Sequence, residues 1–392
     1  MIAHILSIGA ELTEGRVVNT NATFLAQQTQ QLGIGVSRIT TIGDDIQEIT
    51  ELLSAQKDTV VITTGGLGPT HDDITHEALY AFCHKNFDDF LEKDEWYCII
   101  KKYAKNREIS SVHAHAQLLK NPVGHAPGFY VEANGCHIFV LPGVPSEAEG
   151  MFQEEVLPLL KKMAQKYHSH TLRLSGMYES KVQKILEKIQ GRSQVDISLL
   201  PQYNGVDIVV KSRNEINAFV DEARAQLQKY IYSENGSSLE ETIAKLLIDQ
   251  KKTIAVAESC SGGFTTHLLT NVSGSSAYLQ YAVVSYSNEA KIKILGVDPQ
   301  TITAHGAVSP ECAREMAQGV RKVMGTDIGI ATTGISGPTG ATPNKPLGLV
   351  YVAYADSDHC VVRDKVIRRP RVEHKKHSAY FVLNLLWERL KK

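Results

Sequence analysis

The chain has 392 residues, 41 basic and 43 acidic for a net charge of −2, with 43% apolar and 21% charged residues. At roughly 100–200 residues per domain, this ordinary globular composition predicts two or three domains rather than one core. Near-neutrality argues against a general nucleic-acid binder, and the lack of any apolar run of about 18 residues argues against a membrane span. The six cysteines, at positions 83, 98, 136, 260, 312 and 360, form no CxxC pair, which argues against a disulfide framework or a cysteine zinc site. The start, Met1-Ile2-Ala3-His4-Ile5-Leu6, lacks the basic flank and apolar length of a signal peptide, so a cytoplasmic setting is expected.

In chain order, residues 5–9 read as a buried strand, 21–32 as a helix stopped by Gly33, and 36–41 as a strand. Residues 46–53 are apolar at helical spacing, 59–63 form a β-branched strand, and 137–141 form another strand leading into Pro142-Gly143-Val144-Pro145. This β-α-β-α-β order predicts a parallel sheet covered on both faces across residues 1–165. Residues 166–233 read as a small α+β unit: helix 180–189, strand 205–211, helix 214–230. The Ser-Glu-Asn-Gly-Ser-Ser stretch at 233–238 reads as a linker. From 239 to 392 a fresh α/β pattern begins, with strands at 253–257, 282–286, 328–332 and 349–355 and a last helix at 377–390.

In the first segment, Gly65-Gly66-Leu67-Gly68-Pro69-Thr70-His71-Asp72-Asp73 follows a strand directly. Gly65, Gly66 and Gly68 let the backbone approach a ligand, the following helix start, with Thr70, offers N–H groups to phosphate, and Asp72 and Asp73 suit a divalent metal such as Mg²⁺. Equally, Asp72 reads as a helix cap and Gly-Pro as turn chemistry. These residues, with Ile8-Gly9-Ala10-Glu11, Gly15, Asn21, Gly43-Asp44-Asp45 and Leu141 to Glu147, resemble the molybdopterin-binding-like domain of the CinA (competence/damage-inducible) family. The resemblance implies metal-dependent ADP-ribose pyrophosphatase activity, giving AMP and ribose 5-phosphate. His76 departs from it, standing where the family often has arginine. The pairs His113/His115 and His168/His170 have metal-ligand spacing but read better as surface histidines.

In the third segment, the strand at 253–257 runs into Glu258-Ser259-Cys260-Ser261-Gly262-Gly263. A serine at a strand-to-helix turn sits at the carboxyl edge of the sheet, and Gly262 and Gly263 leave N–H groups for an anion. Ser259 or Ser261 also fits a plain helix cap. Tyr286 and Lys291 follow the next strand, and a third loop, Thr332-Thr333-Gly334-Ile335-Ser336-Gly337, offers an oxyanion hole or phosphate grip. Together these loops resemble the C-terminal CinA domain, a metal-free nicotinamide-nucleotide amidohydrolase that converts nicotinamide mononucleotide (NMN) to nicotinic acid mononucleotide and ammonia. The resemblance implies Ser259 as nucleophile, Lys291 as its base, Tyr286 bridging them and Thr333 positioning the amide or oxyanion. Gly262, Gly263, Gly334, Gly337 and Arg371 would contact substrate. Where the family has Gly-Asp-Arg, this chain reads Arg369-Pro370-Arg371, then Lys375, within a run at 363–376 of seven Lys/Arg against two Asp/Glu. That run could attract a phosphomonoester or form a solvated face.

The expected architecture is therefore α/β throughout: a molybdopterin-binding-like three-layer domain (1–165), a small α+β middle domain (166–233) and a C-terminal α/β amidohydrolase domain (239–392). The expected protein is a cytoplasmic homodimer of pyridine-nucleotide salvage acting on NMN and ADP-ribose, with no nucleic-acid or membrane partner. The expected deamidase takes no cofactor, and the pyrophosphatase a divalent metal. The competing class is a nucleotide-binding sensor or competence-linked partner without turnover.

Overall fold

The computed structural model describes residues 1–68, 73–106, 111–164 and 167–391. The chain divides into two compact units, Met1–Ser169 and His170–Lys392. Thr70 and Asp72 lie outside the described residues.

The first unit is built on one seven-stranded sheet. Its strands are β1 (Ile2–Ile8), β2 (Gly35–Ile42), β3 (Val60–Thr64), β4 (Ser111–His113), β5 (Ala116–Leu119), β6 (Gly128–Ala133) and β7 (Cys136–Leu141), in the order β2-β1-β3-β7-β6-β5-β4. The β2-β1-β3-β7 part is parallel, as the strand–helix alternation predicts. The strand residues split by parity. Ala3, Ile5, Val60, Ile62, Phe139 and Leu141 enter a core with the helices Thr20–Gln31 and Pro145–Met151. Leu6, Ile8, Val61, Ile138 and Val140 enter a second core with the helices Ile46–Ser54, Thr75–Asn86 and Lys93–Asn106. Side chains of period two on both faces produce three layers. The antiparallel extension β7-β6-β5-β4 was not among the sequence expectations. Its signal is Asn134-Gly135, both at positive φ (54° and 71°), the turn chemistry of a tight hairpin between β6 and β7.

The second unit carries two sheets. Strands β8 (His168–Ser175), β9 (Asp196–Pro201), β10 (Gly205–Ser212) and β11 (Ile231–Ser233) form one of order β11-β8-β10-β9, covered by the helices Glu179–Leu186 and Asn217–Leu227. Residues 233–238 are ordered: Ser238 caps the helix Leu239–Asp249 in a reciprocal capping box with Glu241.

Strands β12 (Ile254–Glu258), β13 (Leu279–Val284), β14 (Ile328–Gly334), β15 (Leu349–Ala355) and β16 (Cys360–Val366) form the other sheet, ordered β13-β12-β14-β15-β16. Here β12 is parallel to both β13 and β14, whereas β15 and β16 are antiparallel. Ile254, Val256, Ile330 and Val352 face the helices Leu239–Asp249 and Arg371–Leu390. The other face is nearly all alanine (Ala255, Ala257, Ala331, Ala353, Ala355), and there the helix Pro310–Met324 packs. The last helix starts at Arg371 rather than 377, because Pro370 sets its boundary and the charged residues 371–376 are good helix formers. No helix among the described residues is long and apolar enough to cross a membrane.

Candidate active site

The chain leaves β12 to form β13 on one side and later places β14 on the other, so the crevice at the carboxyl ends of these strands is a topological switch point. The loops expected to share a site do meet there. Ser259 is buried directly after β12, and Lys291, 1% exposed, stands on the helix Asn288–Leu295 that follows β13. Ser287 caps that helix by accepting the Ala290 N–H at 3.0 Å.

Lys291 Nζ lies 3.2 Å from Ser259 Oγ, 2.8 Å from the Ser285 carbonyl oxygen and 3.3 Å from that of Tyr286. Among the described residues no acid pairs with it; burial lowers its pKa from the ordinary lysine value, against a smaller opposing pull from Cys312 and Cys260. A neutral amine has two N–H bonds and one lone pair. The two carbonyls account for the former and the serine hydroxyl for the latter.

Other expected roles fall differently. The Tyr286 side chain is 65% exposed and its hydroxyl accepts from Arg371 Nη2 at 3.0 Å, while Lys291 reaches Ser259 directly; the tyrosine does not bridge them. Thr333 is buried and its hydroxyl donates to the Ala307 carbonyl at 2.7 Å. Gly262 and Gly263 do not present free N–H groups. Gly262 N–H returns to the Ser259 carbonyl at 3.2 Å, and Gly263 N–H goes to Glu258 at 2.9 Å. Their role is shape: both have positive φ (60° and 91°), and the Lys375 ammonium sits 3.0 Å from where a β-carbon on Gly262 would stand. Gly334 closes on the Cys260 sulfur, and Gly337 offers its carbonyl to Arg371 Nη1 at 2.8 Å. Arg371, Tyr286, Gly337 and Lys375 thus gather around the loop. Beside Ser259, the Cys260 thiol is pushed up to about 12 by burial, which disfavours the thiolate.

The residue that sequence reasoning missed is Glu258. Fully buried, its carboxylate accepts from Ser261 Oγ (2.6 Å), Gly263 N (2.9 Å), Thr265 N (3.1 Å), Thr266 N (2.8 Å) and Thr266 Oγ1 (2.6 Å). Thr332 Oγ1 lies 2.6 Å from Ser261 Oγ and extends the network to β14. Its signal was an acid ending an apolar strand just before a helix start, where the unpaired N–H groups and the helix dipole favour negative charge.

In the first unit, the loops after β1, β3 and β7 converge at another switch point. Gly65 has φ of 109°, and a β-carbon there would stand 2.0 Å from the Ile8 carbonyl oxygen. Thr75 Oγ1 donates to the Gly65 carbonyl, Asn21 to that of Gly143 and Ala10 N–H to Asp44. Asp73 accepts the Gly68 N–H at 2.7 Å. His76 is buried, with Nε2 on the Leu67 carbonyl, Nδ1 unpartnered and its pKa lowered chiefly by burial. Of the two carboxylates expected to hold a metal, Asp73 is described and keeps one oxygen on its own loop, and Asp72 lies outside the described residues. His113 uses Nε2 on Asp89 and Nδ1 on the His115 N–H, and His170 pairs with Glu234 at 2.7 Å. Among the described residues, the one cluster with metal-ligand spacing is Asp356, Asp358 and His359 in the β15–β16 turn, where Asp356 already accepts two turn N–H groups.

Residues 4–162 match the family described as "Probable molybdopterin binding domain", and residues 236–390 match the "CinA C-terminal domain". A "CinA-like protein" of Amoebophilus asiaticus is 36% identical over 413 aligned positions, covering 100% of this chain and 99% of the relative. Another from Kosmotoga olearia is 37% identical over 407, covering 98% of each. A solved competence damage-inducible protein A from Klebsiella pneumoniae is 30% identical, with a TM-score of 0.38, covering 39% of this chain and 95% of that one. With both domain matches in place and relatives aligned along its full length, this chain belongs to the CinA family.

Proposed function

We propose that the second unit is a hydrolase that deamidates NMN to nicotinic acid mononucleotide and ammonia through a serine–lysine pair. The observation that carries the reading is the buried Lys291 Nζ at 3.2 Å from Ser259 Oγ, with two carbonyls fixing its direction. The amine takes the Ser259 proton as the oxygen attacks the carboxamide carbon. The tetrahedral oxyanion falls to the first turn of the loop after the nucleophile, at Cys260 and Ser261, since the glycine N–H groups are committed. Lys291 then gives its proton to the departing nitrogen, ammonia leaves, and an ester on Ser259 remains. Water adds to that ester with Lys291 again as base, releasing the carboxylate. The cationic pyridinium ring of NMN withdraws electrons and assists both additions. Arg371 and Lys375 are the phosphate contacts of this reading, and Glu258 is a positioning residue that holds the loop.

The test is ammonia and nicotinic acid mononucleotide formation from NMN by the full chain, with Ser259→Ala as control. Saturable NMN binding without ammonia would instead make the protein a sensor. A second activity, ADP-ribose hydrolysis at the glycine loop of the first unit, is supported by the convergence of Asn21, Asp44, Gly65 and Gly143. Its dependence on a divalent metal such as Mg²⁺, tested by chelation and re-addition, belongs to that proposal, as do a cytoplasmic homodimer and the three-domain division of the chain.

A further inference from the structure

The basic run at 363–376 is only partly used by the serine site. Arg371 and Lys375 face it; Arg363, Lys365 and Arg369 line a separate cleft of about 970 Å³ within the second unit. That volume lies in the range of small-molecule sites, roughly 300–1,000 Å³. Its walls are the turn after β8, the β9–β10 turn, β16 and the helix Arg371–Leu390, and Ser259, Tyr286, Lys291 and Thr333 do not line it. The helix explains the separation. Positions 377, 381, 384 and 388, spaced by four, three and four, form one stripe facing the cleft. His374 and Ser378, on another stripe, face Ser336 and Cys260 near the serine loop.

The chemistry of the cleft is uneven. Arg363 is neutralised by Glu388 at 2.7 Å. Lys365 lies 5.0 Å over the Tyr178 ring, and among the described residues neither it nor Arg369 has a carboxylate partner. Both bear on the half-buried His377, whose pKa is lowered first by burial and then by Arg369 and Lys365, with Glu373 and the Tyr203 backbone opposing. Tyr178 is 56% exposed with the Lys365 ammonium over its ring, and Tyr203 stands edge-on to His377 at 4.9 Å. Glu179, next to Tyr178 in the chain, and Asp364, next to Lys365, also line the cleft.

We propose that this cleft is a second nucleotide site: it binds a nucleoside phosphate, the phosphate on Lys365 and Arg369, the base against Tyr178, and the ribose hydroxyls on Glu179. Two unpaired cations alone would suit any phosphate. The aromatic face and the adjacent acceptor carboxylate are what favour a nucleoside, since a carboxylate repels a bare anion but accepts from ribose hydroxyls. The assignment stands independently of the serine–lysine chemistry.

The test is photoaffinity labelling of the full chain with 8-azido-AMP, followed by peptide mapping. Label on peptides carrying Tyr178 or Phe381 is expected, competed by AMP at concentrations where inorganic phosphate has no effect. The Lys365→Ala/Arg369→Ala double variant, with an unchanged thermal melt, should lose at least tenfold of that label. If the double variant melts early, Arg369→Gln at an exposed position gives the same reading, with a smaller loss expected. Label confined to other peptides, label insensitive to these variants, or equal competition by inorganic phosphate overturns the proposal.

Discussion

The glycine loop after β3 and the serine loop after β12 invite comparison. Each follows a fully buried central strand, sits at a switch point, carries glycines at positive φ and contains an acid folded back onto loop N–H groups. What lies beneath them differs. Under the serine loop is a buried lysine with no acidic partner among the described residues; beside the glycine loop is His76, buried and biased toward the neutral imidazole. Loop composition therefore reports backbone shape, whereas the chemistry is decided by the titratable group buried against the loop.

The sharpest way to break the comparison is to remove that group. Ser259→Ala and Lys291→Ala should each lower NMN deamidation by about 10³-fold or more, and the double variant should be little worse, because the two act as one unit. Additive losses would separate them. The neutral amine is the base, so protonation on lowering the pH removes activity. Because burial places the Lys291 pKa below the ordinary lysine value, kcat/KM should fall on the acid side of a limb lying below about 10.4. A profile with no acid limb at any pH at which the protein stays folded would count against Lys291 as base.

The two acids should then part company. Glu258 accepts five hydrogen bonds in a fully buried setting, and glutamine turns one acceptor oxygen into a donor facing other donors. At about 1–3 kcal/mol for each stranded buried donor, Glu258→Gln should destabilise the second unit by about 2–4 kcal/mol, read from urea unfolding at constant m. Asp73→Asn keeps an oxygen for Gly68 N–H, so it should cost under about 1 kcal/mol. Its expected effect is chemical: ADP-ribose hydrolysis down about tenfold or more, NMN deamidation unchanged, both measured on one preparation.

Much of this arrangement was legible in the sequence, and the failures have two causes. The parallel strands were readable because apolar runs such as Val60-Val61-Ile62 are buried on both faces, and the meeting of Ser259, Lys291 and the Thr333 loop followed from three parallel strand ends. Strands β4 and β5 were missed because strands of three and four residues carry little apolar periodicity, and the seven-residue edge strand β16 because it carries Arg363-Asp364-Lys365; β6, β8, β9 and β11 were not expected either. Side-chain direction was the other blind spot. Spacing placed Tyr286 and Thr333 near Ser259, but only the fold shows the tyrosine turned to Arg371 and the threonine to Ala307. Glu258 was given no role; its carboxylate is buried against the N–H groups of the helix start that follows it.

The smallest expected effect tests that last distinction. If Tyr286 relayed the proton between Ser259 and Lys291, Tyr286→Phe would remove the relay and approach the loss seen for Lys291→Ala. In the structure its hydroxyl is 3.0 Å from Arg371 Nη2 and its side chain is exposed, while its backbone carbonyl, kept in the variant, holds Lys291. Tyr286→Phe should therefore leave turnover within about threefold and raise KM by about two- to tenfold, since a hydrogen bond to a charged group contributes about 1.5–3 kcal/mol and exposure holds this one to the low end or below. The change should fall on KM because Arg371, released from the tyrosine, is the proposed phosphate contact. A shift in KM with turnover retained supports direct lysine-to-serine proton transfer; turnover slowed by about two orders of magnitude restores the tyrosine to the proton path.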